Sequence, residues 1–293
     1  KNMTIRENCK YALATVTSMG VRITPFDRQP VHTSNLFEMQ STSAETNVLN
    51  VSASLGLSTL VMTRFVQDSA IASFIKAELR KRNISYVGPD IPQGGPWGYR
   101  HQFNIADSGC GMRGPIVQND RAGEVGVTIQ PDDFDLEKLF KVEGCRILHL
   151  SGLIGAMSES TTRTCLEIAR YAKENGTLIS FDLNYRASFW KGREEELAAI
   201  FAEIASVSDI LIGNEEDFQL CLGVQGPEAG GKDIAAKIDS FKEMIKRVKA
   251  QFPNASVFAT TLRQVENVNS HLWGAIMLAG DQWHVVEPRR ITV

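Results

Sequence analysis

Two spacings of hydrophobic residues alternate along this chain and predict its secondary structure. Short apolar runs, such as STLVMT at 58–63, are typical of buried β-strands. Elsewhere hydrophobic residues recur at every third or fourth position, as Ile71, Phe74 and Ile75 do, which indicates helices with one buried face. Strands that alternate with helices of this length form a mostly parallel sheet covered by helices on both faces. The pattern therefore predicts an α/β fold.

The same pattern, with caps and glycine stops, assigns an element to most of the chain. Strands are predicted at 11–16, 21–25, 32–40, 58–63, 146–150, 178–181, 209–212 and 256–260. Helices are predicted at 45–57, from an N-cap at Asp68 to about Arg82, and at 133–141, 160–175, 194–205, 215–222 and 240–251. Residues 226–231 are predicted as a loop, and 273–278 with 283–286 as a hairpin turned at Gly280 and Asp281.

Residues 94–123 break this pattern. They contain seven glycines and short alternating segments, and they lack a helical period. Such a stretch is typical of a small β-sheet. Together with residues 32–40 it is predicted to form an excursion from the main domain.

Composition and charge narrow the class of protein. The chain has 293 residues, 43% of them hydrophobic and 22% charged, which is ordinary for a globular protein. Its net charge of −3 gives no reason to expect a nucleic-acid partner, since a nucleic-acid-binding protein usually has a basic stripe. No apolar run approaches the roughly 18 residues of a membrane span, and the N-terminus lacks the apolar core of a signal peptide. Five scattered cysteines without a CxxC pair indicate reduced thiols in a cytoplasmic protein.

The stretch LISFDLNYRASFW at 178–190 carries the strongest local chemical signal. An apolar strand changes abruptly into Asp182, Asn184, Tyr185 and Arg186. Polar groups at the carboxyl end of a parallel strand lie in the ligand crevice, and an arginine there matches a carboxylate or phosphate. The stretch therefore favours a small anionic ligand. A strand followed by a solvated turn is the alternative.

Four segments together resemble the ribokinase-type (PfkB) carbohydrate kinases, and within them the 2-keto-3-deoxygluconate kinases. They are SFDLNYRASFW at 180–190, HLSGL at 149–153, IGNEEDF at 212–218 and NDRAG at 119–123. The resemblance implies one ribokinase-like domain over 11–293, with a β-sheet lid formed by about 32–40 and 94–123. It also implies phosphorylation of a sugar by ATP and Mg²⁺, with the lid excluding water.

The resemblance further implies roles for individual residues. Arg121 and Arg186 would hold an acidic substrate, and the other implied substrate residues are Ser43, Asn47, Arg100 and Asn184. Asn214, Thr261 and Arg263 would contact the nucleotide, and Asn214 with Asp217 would organise Mg²⁺ through water. The alternatives are ordinary surface arginines, a helix N-cap at Asn214 and a solvated Arg263.

Three departures from the family pattern affect these expectations. The Gly-Gly-x-x-x-Asn element reads TSAETN at 42–47, and the expected Gly-Glu or Gly-Asp after the first strand reads Thr17-Ser18. The G-x-G-D segment that supplies the catalytic aspartate is absent from the sequence. A truncated chain is therefore expected, with the base and further covering helices beyond Val293.

Three functions follow from these observations. The first is an ATP-dependent kinase for a sugar acid, 2-keto-3-deoxygluconate before others. A non-catalytic sugar-binding protein on the same fold is the second. A kinase for a neutral sugar such as fructose is the third, and it predicts that Arg121 or Arg186 points away from the pocket. The resemblance also predicts a homodimer through the lid.

Overall fold

A computed structural model describes residues 3–226 and 233–292. The strands are β1 (Tyr11–Val16), β2 (Gly20–Pro25), β3 (Phe37–Thr42), β4 (Thr59–Met62), β5 (Phe65–Val66), β6 (Ile84–Val87), β7 (Asp90–Ile91), β8 (Gln102–Asp107), β9 (Ile116–Asp120), β10 (Cys145–Ser151), β11 (Leu178–Asp182), β12 (Ile210–Ile212), β13 (Val257–Asn267), β14 (Ser270–Ala279) and β15 (Gln282–Thr292). The helices are α1 (Ala44–Ser54), α2 (Ala70–Lys81), α3 (Gly152–Ala156), α4 (Glu159–Glu174), α5 (Ala187–Trp190), α6 (Glu194–Val207), α7 (Glu215–Leu222) and α8 (Ile234–Gln251).

A large central sheet organises the fold. Its strand order is β15-β14-β13-β12-β11-β10-β1-β4-β6. The strands from β13 to β6 run parallel, whereas β13, β14 and β15 are joined by two antiparallel hairpins. Because the parallel strands need crossover connections, helices lie between them in the sequence. The predicted α/β class and mostly parallel sheet are confirmed.

Helices cover both faces of this sheet. Neighbouring residues of a strand face opposite sides, so a doubly buried strand contributes to two cores. In β4, Val61 packs in a cluster with α1 and α2, whereas Leu60 and Met62 belong to a larger cluster with α4, α6, α7 and α8. Each such side chain contributes about 1.5–3 kcal/mol by its burial.

A separate four-stranded sheet, called the lid below, has the order β3-β2-β8-β9. β2 and β3 connect β1 to α1, and β8 and β9 lie between β7 and the segment before β10. The lid therefore projects from the carboxyl ends of the central strands. The lid includes β2, whereas the ranges predicted for the lid, about 32–40 and 94–123, do not.

Several predicted boundaries are wrong, each for a local reason. Residues 32–40 do not form one strand, because β3 pairs with β2 only from Phe37, opposite Pro25, and Val31–Thr33 is a 3₁₀ turn. The N-cap of α2 is Ser69, whose Oγ accepts the N–H of Ala72, and Asp68 is in a left-handed turn at φ 56°.

The remaining differences lie later in the chain. The helix predicted from 133 starts later, as a π-helix over Glu137–Glu143, because Pro131–Asp133 forms a separate 3₁₀ turn that ends at the extended Phe134. The helix predicted at 240–251 begins at Ile234. β13 runs on to Asn267 because it pairs with β14, whereas the hairpin of β14 and β15 is confirmed. In the loop predicted at 226–231, residues 227–231 lie outside the described residues. Within the described residues, none of the helices has the length and apolarity that crossing a membrane requires.

Candidate active site

A cleft of about 700 Å³ separates the lid from the carboxyl ends of the central strands. Four of the residues expected to bind substrate line this cleft: Ser43, Asn47, Arg121 and Arg186. They come from the start of α1, the end of β9 and the end of β11. The tertiary structure thus brings four predicted residues from distant parts of the sequence to one site.

Arg186 lies on a connection that is fixed on both sides. Asn184 has a left-handed backbone at φ 38°, and its side-chain amide donates to Ser151 Oγ at 3.2 Å. The next N–H, that of Tyr185, donates to Asp217 Oδ1 at 3.2 Å. Asn184 is not among the side chains that line the cleft. Its contacts orient the loop that carries Arg186.

Arg121 reaches the cleft from the lid side. Its Nη1 donates to both carboxylate oxygens of Glu124, at 2.9 and 3.2 Å. Its guanidinium carbon lies 5.6 Å from the centre of the Phe189 ring, within the range of a cation–π contact. The arginine is therefore held against the main domain even though it follows a lid strand.

A third arginine, which sequence reasoning missed, also lines the cleft. Arg22 lies on β2 opposite Asn104 of β8, and its Nε donates to Asn104 Oδ1 at 3.0 Å. The alternation of VRIT within a strand could have indicated an inward-facing arginine. Which face of the lid turns to the cleft is decided by sheet packing, which the alternation does not specify.

The two glycines of the family pattern are replaced by Thr42 and Ser43 at the start of α1. Ser43 caps this helix, since its Oγ accepts the N–H of Thr46 at 3.0 Å. The positive end of the helix dipole opens on the cleft, where it favours an anion. Ser43 therefore has a structural task in addition to its predicted contact with substrate.

Two carboxyl groups with raised pKa values lie at the start of α1 and at the end of β11. Glu45 accepts a hydrogen bond from the hydroxyl of Thr17 at 2.9 Å, and burial raises the pKa of its carboxyl group. Burial, followed by the nearby Asp217 carboxylate, raises the pKa of Asp182 to about 7. Groups with shifted pKa values concentrate at functional sites. In the sequence, Asp182 is recognisable as a polar residue at a strand end, but the pattern assigns it no role.

Asn214 and Asp217 form the first turn of α7. The N–H of Asp217 donates to Asn214 Oδ1 at 2.8 Å, and the N–H of Asn214 donates to Asp217 Oδ2 at 3.0 Å. The N-cap interpretation of Asn214 is confirmed. Both Asp217 oxygens already accept backbone N–H groups, so these residues fit a magnesium ion through water better than by direct ligation.

The other predicted residues lie away from the cleft. Arg100 forms an ion pair with Asp120, and its Nε donates to the carbonyl of Ala122 at 2.7 Å. Arg100 lines a different cavity, on the other side of the lid. Thr261 and Arg263 lie on β13, where the Arg263 guanidinium carbon is 5.2 Å from the centre of a Trp273 ring.

Known proteins resemble this chain in sequence and in fold. Residues 117–257 match the model of the pfkB family carbohydrate kinase. A curated relative, the 2-dehydro-3-deoxygalactonokinase of Haloferax volcanii, is 27% identical over 217 residues. The aligned region covers 73% of this chain, and the chain spans 64% of that relative.

Solved structures share the fold. The 2-dehydro-3-deoxygluconokinase of Thermotoga maritima superposes with a TM-score of 0.82 at 23% identity, covering 97% of this chain and 82% of that one. A PfkB family carbohydrate kinase from Listeria grayi gives a TM-score of 0.81 at 22% identity, with coverages of 96% and 81%. The ribokinase-like architecture predicted from the sequence is confirmed.

Proposed function

We propose that this chain binds a 2-keto-3-deoxy sugar acid, 2-keto-3-deoxygluconate before others, and that the protein phosphorylates it with ATP. The observation that carries the proposal is the convergence of Arg22, Arg121 and Arg186 on one cleft. An arginine offers a planar pair of N–H donors that matches a carboxylate. A cleft with several arginines therefore suits an acidic sugar.

The same observation weighs against a neutral sugar. That alternative predicts that Arg121 or Arg186 points away from the pocket, and both line it. The polar amides of Gln102, Asn104 and Asn119 also line the cleft and supply partners for sugar hydroxyls. The lining thus suits a ligand with one anionic end and several hydroxyl groups.

The residues of this chain would act by positioning and charge neutralisation, as is general for phosphoryl transfer. The lid would exclude water from the acceptor hydroxyl. Magnesium, held through water by Asn214 and Asp217, would neutralise phosphate charge. The aspartate base expected beyond Val293 stays a prediction. The intact mass of the protein and the sequence of its C-terminal peptide would test it.

The experiment that tests the proposal is a steady-state assay of ATP-dependent phosphorylation, with 2-keto-3-deoxygluconate and fructose compared. We expect Arg186→Ala to raise KM for the sugar acid about 10- to 100-fold, since a hydrogen bond to a charged group contributes about 1.5–3 kcal/mol. KM for fructose should change little. An equal effect on both sugars would exclude the carboxylate role.

The same assay distinguishes the proposed kinase from a non-catalytic sugar-binding protein. It would bind the sugar acid in calorimetry and form no phosphorylated product in the presence of ATP and Mg²⁺. If the Arg186→Ala protein then fails to bind the sugar acid, the cleft is still the site where the sugar acid binds. Absence of sugar-acid binding by the unmodified protein would contradict both functions.

A further inference from the structure

A buried carboxylate joins the lid to the central sheet beside the cleft. Glu124 is 1% exposed and follows the turn after β9. Its carboxylate accepts a hydrogen bond from the Ser18 hydroxyl at 2.6 Å and two hydrogen bonds from Arg121. Ser18 lies two residues beyond the end of the central strand β1, and Arg121 directly follows the lid strand β9. An acid is rarely buried so completely unless it is paired, and here its partners follow strands of two different sheets.

The backbone around Glu124 leaves the carboxylate little freedom. The N–H of Val125 donates to the carbonyl of Arg100 at 2.9 Å, and the N–H of Arg100 donates to the carbonyl of Gly123 at 2.8 Å. Gly126 packs directly on Ser18, since a Cβ at Gly126 would lie 1.8 Å from Ser18 Oγ. The segment is therefore locked against the end of β1.

This arrangement restrains Arg121 before any ligand arrives. Glu124 engages Nη1, and the Phe189 ring lies beside the guanidinium. Arg121 still lines the cleft, so its remaining N–H groups are available there. Restraining a long side chain in advance removes an ordering cost of about 0.5–1.5 kcal/mol from binding.

We infer that Glu124 is a positioning residue, which holds Arg121 for the carboxylate of an acidic sugar. The inference rests on the proposed function. Ser18 donates to the same carboxylate, so Glu124 is held from the loop after β1 as well as by Arg121.

The test is calorimetric titration of 2-keto-3-deoxygluconate and of fructose into the purified protein without nucleotide. Four forms are compared: the unmodified protein, Glu124→Gln, Arg121→Ala and the double variant. We expect Glu124→Gln to weaken sugar-acid binding about two- to tenfold, the equivalent of one newly immobilised side chain. Fructose binding should change by less than about twofold, and Glu124→Gln should have no further effect when Arg121 is absent.

A second buried acid of the lid serves as a matched control. Asp107 is 4% exposed and pairs with Arg113, and neither residue lines the cleft. Asp107→Asn removes a comparable ion pair, so it should lower the unfolding temperature and leave the preference for the sugar acid unchanged.

The outcomes separate the inference from the proposed function. The inference fails if Glu124→Gln binds the sugar acid as tightly as the unmodified protein, or if both sugars weaken equally. If Arg121→Ala loses the preference while Glu124→Gln keeps it, only the role of Glu124 is overturned. If the unmodified protein has no preference for the sugar acid, the proposed function fails and the role of Glu124 fails with it.

Discussion

At the scale of single residues, Asp182 has an unusual chemical environment at the end of a central strand. It ends β11, it is largely buried, and its pKa is raised to about 7 by burial and by the neighbouring Asp217 carboxylate. An ionised carboxylate in this place lowers the stability of the folded protein. Such a cost is typical of a residue retained for function rather than for stability.

We expect Asp182→Asn to stabilise the protein in a pH-dependent manner. In the unfolded chain this carboxyl group ionises near pH 3.8, whereas in the folded protein it holds its proton until about pH 7. Stability is therefore lost as pH rises through this window, by about 4 kcal/mol in total. Unfolding measured in EDTA should show that Asp182→Asn raises the free energy of unfolding strongly at pH 8 and little at pH 4.

Asp209 provides the contrasting control for that experiment. It is also buried, but Lys173 Nζ lies 2.6 Å from its Oδ1 and the N–H of Ile179 donates to its Oδ2. Asp209→Asn removes a paired charge and should lower stability at pH 8. A loss of stability at pH 8 in Asp182→Asn would contradict the account of Asp182.

At the scale of elements, the connection after β11 depends on the first residue of α3. Gly152 lies within the HLSGL segment, and a Cβ there would lie 1.8 Å from the carbonyl oxygen of Leu183. Ser151, immediately before it, accepts the amide of Asn184. The two β-strand ends, β10 and β11, are therefore packed backbone to backbone just where Arg186 is presented.

We expect Gly152→Ala to displace this connection. The clash should lower the free energy of unfolding by about 1–3 kcal/mol and weaken sugar-acid binding. Gly155→Ala is the matched control in the same helix, because its Cβ would meet only the Phe201 ring at 3.6 Å. Urea denaturation and calorimetry of both variants would check this. Equal effects of the two substitutions would contradict it.

Element types could be predicted better than element ends. The period of the hydrophobic residues identified α4, α6 and α7 and the buried strands of the central sheet, since one face of each element meets the core. The ends depended on tertiary contacts. The extended backbone of Phe134 separates the 3₁₀ turn at Pro131–Asp133 from the later π-helix, and β13 was lengthened by its partner β14.

At the scale of the whole molecule, the lid leaves two outer strands, β3 and β9. Within residues 3–226 and 233–292, each has a neighbour on one side only, and such an edge can pair with another chain. Ile116, which begins β9, is 64% exposed. These features are compatible with the homodimer through the lid, which stays a prediction.

We expect light scattering after size-exclusion chromatography to give twice the mass of one chain. Ile116→Lys should shift it toward a single chain, because a charge on the edge opposes pairing. Val142→Lys is the control, since Val142 is exposed on the π-helix outside the lid. A single-chain mass for the unmodified protein, or an equal shift with both substitutions, would contradict assembly through the lid.

The sequence by itself determined the fold class and most of the chemistry of this protein. Hydrophobic periods, strand-end residues and the segments around Arg121 and Arg186 are local, so they could be recognised without coordinates. Only the tertiary structure decided which of these groups meet. It placed Arg22 inside the cleft, turned Arg100 toward Asp120, and brought Glu124 to Ser18. These contacts join residues far apart in the chain, and they depend on how the lid packs against the sheet, which no local pattern specifies.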